Sequence, residues 1–427
     1  MFRVLLRPVV MGALLNRQNN QEVTVVSRTD SHANRPALAT GVAAVRAEWK
    51  DRLPRWMQRP LTWLIAYPHA GQQPLWQEKP WWIAVVAPVL LLALATSLSV
   101  VVVNLGGYFW IALPLLWLLH INAARTFQIH IGHQGIHEEF SGNSRIDRAV
   151  VETLTALAVV QDYDGYKADH DGVHHPRLAS AEDPDRQFTI GIIGIRPGAS
   201  VRANKIRFLL ALISPRIHGL FSLGRLRANF VDAPRYRRMM AMIWFATVIA
   251  VVAVTHQWTA LMLGFVLPLS VLFQVSSIAQ FVTEHHWAKQ RPAGVSAKEH
   301  HLSLLINRHL GDPLPPREAI GWAWFAGWSL WWVRLLLYHL PVRLGVLMAD
   351  LPVHGSHHLW PKDKGWANAI YAYRLLADQS GKCPTEIVGG YFAILDFALE
   401  AFRAAPPATP DERPLTLAEK LNVTNGM

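Results

Sequence analysis

Residues 81–103 read WWIAVVAPVLLLALATSLSVVVV, with no ionisable side chain anywhere in the run. A helix without a polar face cannot lie half-exposed on a soluble domain. This one is also long enough to cross hydrocarbon, which takes about 20 apolar residues. The run belongs to a longer block. Residues 80–129 contain no Asp or Glu, and their only Lys or Arg is Arg125, near the end. A second block, 239–283, contains no Asp, Glu, Lys or Arg at all. Each block accommodates two spans and a tight turn, at Asn104-Leu-Gly-Gly107 and at Thr255-His-Gln-Trp258. The sequence therefore predicts four transmembrane helices, about 81–103, 108–129, 239–255 and 259–282.

Working outward, the whole chain of 427 residues is 51% hydrophobic and only 17% charged, with mean hydropathy +0.16. That composition suits a polytopic membrane protein with sizeable polar parts. Eighteen Trp fit a protein with two membrane–water interfaces. Both turns lack Lys and Arg, and segments 1–79, 130–238 and 284–427 hold essentially all the positive charge. By the positive-inside rule those segments and both termini are cytoplasmic. The expected fold is all-α: two transmembrane hairpins carrying a cytoplasmic helical cap. Residues 1–79 form an N-terminal cytoplasmic segment, 80–403 the membrane domain, and 404–427 a loose, Pro-rich tail. The opening MFRVLLRPVVMGALL reads as an amphipathic or disordered lead-in, or as an over-long gene start. Helical patches are expected over 145–161 and 386–402, and the Trp-rich 319–349 reads as interfacial.

The net charge of +11 suits anionic lipid headgroups or an acidic protein partner, and no nucleic-acid motif is present. A single cysteine, Cys383, excludes a disulfide framework, a zinc ribbon and an iron–sulfur cluster within the chain. Any metal must be held by nitrogen and oxygen.

The nitrogen is conspicuous. HQGIH carries His133 and His137, just past the second span. HDGVHH carries His170, His174 and His175. TEHHW carries Glu284, His285 and His286 at the end of the fourth span. HGSHHLWP carries His354, His357 and His358. The predicted topology brings all four segments to one level beside the membrane. Pairs at i, i+4 share a helix face, so His133 with His137, and His170 with His174, are each expected to bite one ion. Adjacent imidazoles diverge and can serve two ions. Nine imidazoles suit two five- or six-coordinate ions with positions left for water or dioxygen. Imidazole suits iron, copper, zinc and nickel alike.

These boxes resemble those of the membrane fatty acid desaturases and hydroxylases. His133-x3-His137 is similar to their first box and His170-x3-His174-His175 to the second. His354-x2-His357-His358 before Leu-Trp-Pro is similar to the third, and Asp183-Pro184-Asp185 stands where the family has an acidic turn. Glu284-His285 resembles a further element of the alkane hydroxylase branch, without that branch's Asn and Tyr. The resemblance runs over roughly 80–365. It implies two irons held by His133, His137, His170, His174, His175, His285, His354, His357 and His358, with dioxygen as co-substrate. It implies an oxidoreductase that desaturates a fatty acyl chain in lipid metabolism, or one that hydroxylates an alkyl or acyl chain. The electron donor would be a separate ferredoxin, rubredoxin or cytochrome b5 with its reductase, because the chain has neither the cysteines of a fused rubredoxin nor a His-Pro-Gly-Gly haem signature.

Carboxylates beside the boxes, Glu138, Asp169, Asp171 and Glu284, are candidates for orienting the rings. His130 and His286 are possible extra ligands. Glu299-His300-His301 imitates the TEHH segment but reads as surface. His32, His69, His218, His256, His309 and His339 read as structural or solvated. Arg125 reads as an interfacial anchor and Asp183 as a turn cap. A His-rich metal transporter is the rival from another class, but transporters place ligands near the bilayer midplane, where these spans offer few polar groups apart from His120.

Overall fold

The computed structural model describes residues 41–77, 79–138, 140–407 and 415–425. The opening MFRVLLRPVVMGALL and His32 lie outside them. The apolar blocks become four helices long and apolar enough to cross a membrane: Trp81–Leu105, Gly107–Ile136, Arg235–Thr255 and Trp258–Val282. The first two meet at Gly106 and Gly107, whose φ of 68° and 55° suit glycine and end the first helix within a residue. The two turns touch: Asn104 Nδ2 donates to Gln257 Oε1 at 2.7 Å. The first and fourth spans approach closely at Gly264, where a Cβ would come within 2.8 Å of Ser99 Cβ.

Two spans are longer than the sequence predicts. The third begins at Arg235 because Arg237 is buried against Glu152, 2.6 Å away, so its charge does not stop the helix. The second runs on through a π-helical stretch, Phe127–Gly132, to Ile136. That continuation places His133 on the span itself.

Helix Ser144–Leu157 starts at Asn143, whose side chain accepts from the N–H groups of Arg145 and Ile146. Helices Val201–Leu212 and Pro215–Phe230 are bent by 59° at Pro215, which has no N–H to continue the first. Helix Gly321–Arg334 buries Trp331 edge-on to Trp49, at 5.6 Å, and leaves Trp322 and Trp324 exposed.

The protein is mostly helical but not all-α. Ile306–Leu310 (β1) and Thr385–Gly389 (β2) form a parallel pair, in register from Ile306 opposite Thr385 to Leu310 opposite Gly389. INRHL does not read as a strand because it lacks alternation, and its central residues are polar yet buried. Arg308 is buried by donating to the carbonyls of Gln280 and Leu351 and to Thr283 Oγ1, at 2.9–3.2 Å. β2 takes the start of the segment expected to be helical from 386, and the helix begins at Tyr391.

The domain boundaries expected at 79/80 and 403/404 divide what the structure joins. Helices Val42–Arg52 and Gln58–Ile65 bury Trp49 and Ile65 in one core with β1 and β2. In the tail, Leu417–Asn425 is not loose but a helix against Pro215–Phe230, with Thr424 buried and close to Gly224. Pro-rich composition marks where a chain cannot be helical, and does not constrain the residues beyond the prolines.

Candidate metal centre

All nine imidazoles converge, and they form two groups. His133, His137, His170, His175 and His357 make one; His174, His285, His354 and His358 make the other. Within each group one ring nitrogen per residue lies within 4.8 Å of all the others. The Nε2 atoms face one another: His133 to His170 at 2.8 Å, His175 to His170 at 3.0 Å, His357 to His137 at 3.0 Å, and His358 to His354 at 3.1 Å.

The local helix geometry decides which ring joins which group. His133 and His137, on the end of the second span, share a group as the i, i+4 spacing predicts. His170 and His174 do not. They lie in a π-helical turn, His170–His174, with the His175 N–H donating to the His170 carbonyl at 2.9 Å. The wider turn puts i and i+5 on one face, so His170 pairs with His175 while His174 joins the other group. The doublets His174-His175 and His357-His358 are each split between groups, as diverging neighbours should be.

Several rings are held from behind. Asp171 Oδ1 lies 2.9 Å from His137 Nδ1. Asp183 Oδ1 lies 3.0 Å from His174 Nδ1, with Asp185 at 3.3 Å. The Tyr373 hydroxyl is 3.2 Å from His357 Nδ1. Each contact occupies Nδ1 and leaves Nε2 facing the centre. Glu284 is buried, with Oε1 at 3.4 Å from His354 Nε2 and 2.9 Å from Gln280 Nε2.

Of the four carboxylates expected here, Asp171 and Glu284 touch an imidazole of the groups. Glu138 instead pairs with Lys167, and Asp169 accepts from Gln161 Nε2 at 2.8 Å. Asp183 does more than cap its turn. Tyr373 and Asp350 carry no sequence signal, being far in sequence from what they touch. His130 stands outside both groups, its Nδ1 3.0 Å from Asp350 Oδ1. His286 also stands outside, its ring 5.3 Å from that of Phe397 while its backbone N–H donates to Leu304. Arg125 does not snorkel. It is buried, donating to Gln128 and Gln280 at the foot of the centre. His301 is only partly at the surface, its ring 6.4 Å from that of His358.

Burial, reinforced by neighbouring imidazoles, holds His170, His175, His354, His357 and His358 well below the usual range, and burial does the same for His285. These rings are neutral at neutral pH, the form in which imidazole binds a metal. His174 differs. Burial lowers it, but Asp183 and Asp185 outweigh that and raise it to about 9. Where two carboxylates hold a proton on His174, a dication would take the proton's place.

The residues fit a pair of cations. His285 is buried with both ring nitrogens lacking a hydrogen-bond partner, and His358 Nδ1 likewise. Buried nitrogens gathered without donors are costly unless something positive sits between them. The donor set is nitrogen and carboxylate oxygen without thiolate, since the free Cys383 is exposed. A cavity of about 40 Å³ adjoins both groups, lined by His133, His170, His354, Glu284, Asp185 and Tyr166. That is room enough for a water or a diatomic molecule.

The model of the fatty acid desaturase family matches residues 108–384, which contain all nine imidazoles and three of the four spans. The chain belongs to the fatty acid desaturase family. Among curated proteins none matches it. Membership makes this desaturase-family chain an oxidoreductase with a membrane-embedded body, and its two histidine groups suit the di-iron centre typical of the family. The match begins beyond the first span and ends just before β2.

Proposed function

We propose that this protein is a dioxygen-dependent di-iron desaturase of a fatty acyl chain. One iron is held by His133, His137, His170, His175 and His357, the other by His174, His285, His354 and His358. The observation that carries the reading is the division of nine imidazoles, eight of them buried and His175 half-buried, into two adjacent groups where the second and fourth spans end. Bound iron supplies the reduction of dioxygen and the oxidising power to break an unactivated C–H bond.

The chain's own residues do the rest. Asp171, Asp183 and Tyr373 fix ring orientation through Nδ1. Burial keeps bulk water from the centre. Glu284 and Asp185 border the small cavity and present carboxyl groups to it. The spans give an apolar acyl chain a hydrocarbon-level approach. The orientation follows from charge: both termini and the centre face the cytoplasm.

Hydroxylation of an alkyl or acyl chain is the second reading. It is favoured by the Glu284-His285 element, whose imidazole belongs to the four-membered group. The two are told apart by expressing the chain in a host with an electron-donor system and profiling its fatty acids and hydrocarbons by gas chromatography–mass spectrometry. A product lighter by two hydrogens establishes desaturation, and one heavier by an oxygen moves the protein to hydroxylation. His357→Ala is expected to abolish the product and lower bound iron. Full activity in that variant would refute the di-iron assignment.

A further inference from the structure

Both reactions need electrons that the substrate does not supply. Desaturation is CH2–CH2 + O2 + 2 e− + 2 H+ giving CH=CH + 2 H2O. Hydroxylation is C–H + O2 + 2 e− + 2 H+ giving C–OH + H2O. With one exposed cysteine, the chain has no thiolate cluster to store them. They must arrive from outside.

One face of the molecule is the segment 287–301, between the fourth span and β1. At its start, Trp287 is buried with its ring 4.9 Å from His285 and 6.1 Å from His174. The same Trp287 floors a surface hollow of about 130 Å³, edged by Arg186, Lys289 and Pro407. At its end, His301 is half-buried with its ring 6.4 Å from His358. Two aromatic side chains thus lead from one patch of surface to members of the same four-imidazole group. Between them Lys289, Arg291 and Lys298 are all exposed. The only carboxylate in the segment, Glu299, is turned back onto Ser296 in a capping box. The patch is cationic with little to offset it.

We infer that this face docks a small soluble one-electron carrier protein with an acidic surface, and that electrons enter through Trp287 and His301 to the iron held by His174, His285, His354 and His358. The inference rests on the di-iron reading and names the partner of that centre. Cationic residues around a contact steer an acidic partner and set its on-rate. The hollow gives the encounter a shape. The buried indole and half-buried imidazole shorten the gap that the electron must cross.

The test uses the full chain, iron-loaded, in nanodiscs of phosphatidylcholine. Plant-type ferredoxin, rubredoxin and cytochrome b5 are each supplied with a reductase, and the carrier that supports turnover is carried forward. The triple variant Lys289→Glu, Arg291→Glu, Lys298→Glu is expected to raise the KM for carrier, and the Kd measured directly, by about ten-fold or more. Its kcat at saturating carrier should stay within about two-fold of wild type, and wild-type Kd should weaken with salt. His301→Leu is expected to slow electron arrival after mixing with pre-reduced carrier, with Kd unchanged. Turnover driven by a small chemical reductant should be the same in all three proteins.

Unchanged KM and Kd in the triple variant would overturn the docking face. So would turnover with the chemical reductant but with none of the three carriers. An effect of the triple variant seen only in nanodiscs containing phosphatidylserine would assign the face to lipid instead. Wild-type protein that binds no iron would remove the di-iron reading itself, a failure recognised before any carrier is added.

Discussion

Asp183 serves two structures with one carboxylate. Oδ1 accepts the N–H of Asp185 and stands 3.0 Å from His174 Nδ1, while Oδ2 accepts the N–H of Ala179 at 2.7 Å. Its turn-capping role is legible in HHPRLASAEDPD, but its hold on His174 is not, because that depends on where the turn folds back. Asp183→Asn keeps a good cap and removes the charge behind His174. Iron in the four-imidazole group is expected to bind about 10–100-fold more weakly, with helicity by circular dichroism unchanged. Iron content at limiting metal checks it, and equal loading would refute the role. The nine imidazoles themselves were legible as a set because histidine in clusters is rarely structural. The carboxylates were legible only in part: adjacency proposed Glu138 and Asp169, whose side chains turn instead to Lys167 and Gln161. Charge alone also misplaced Arg125, because a buried guanidinium satisfied by Gln128 and Gln280 leaves no mark in the sequence.

At the scale of elements, the π-helical turn at His170–His174 and the strand β1 both control the site. β1 runs beside the short helix His354–His357, and Gly355 meets it. A Cβ on Gly355 would stand 2.7–2.9 Å from the backbone O, C and N of Ile306. Backbone cannot rotate aside, so Gly355→Ala is expected to displace His354, His357 and His358 together and to cost most of the bound iron. Wild-type iron content in that variant would show that the helix can shift harmlessly.

A second element contact sets an acid limit. The Asp312 carbonyl accepts the indole N–H groups of Trp49 and Trp331, and its carboxylate accepts from Arg334 at 2.7 and 3.0 Å and faces His339 Nε2 at 2.6 Å. Burial pushes this carboxyl up, but His339 and Arg334 outweigh it and lower it to about 2, from an ordinary 3.8. A depressed folded pKa stabilises the fold above the unfolded value, and that contribution is lost as pH falls from about 4 to about 2. Asp312→Asn is therefore expected to unfold more readily than wild type at pH 5 to 7, with the difference vanishing towards pH 2. Tryptophan fluorescence during denaturation reads it, and a difference independent of pH would refute it. Neither β1 nor this contact was legible, because INRHL has no alternation and its polar side chains are satisfied by partners distant in sequence.

At the scale of the molecule, the centre joins four segments that are otherwise far apart along the chain. Two ions bound there would crosslink the end of the second span, the π-helical turn, the end of the fourth span and the helix beside β1. Ligand that binds only the folded state stabilises it by mass action, about 4 kcal/mol for each ion held at a thousand times its Kd. Chelation is expected to lower the thermal unfolding midpoint by several degrees, and ferrous iron to restore it. A midpoint indifferent to chelator would mean that the imidazoles are preorganised by packing alone.

By itself the sequence determined the four spans and the nine imidazoles. Both are carried by composition over short windows: hydrocarbon rejects charge wherever it occurs, and clustered histidine is costly to bury without an ion. Only the tertiary structure decided how the nine divide into five and four, which carboxylates stand behind them, and how residues 42–67 pack against β1 and β2 and residues 417–425 against helix Pro215–Phe230. Those depend on one extra residue in a helical turn and on contacts across hundreds of positions. No local pattern encodes them, because their energy exists only once the chain has folded.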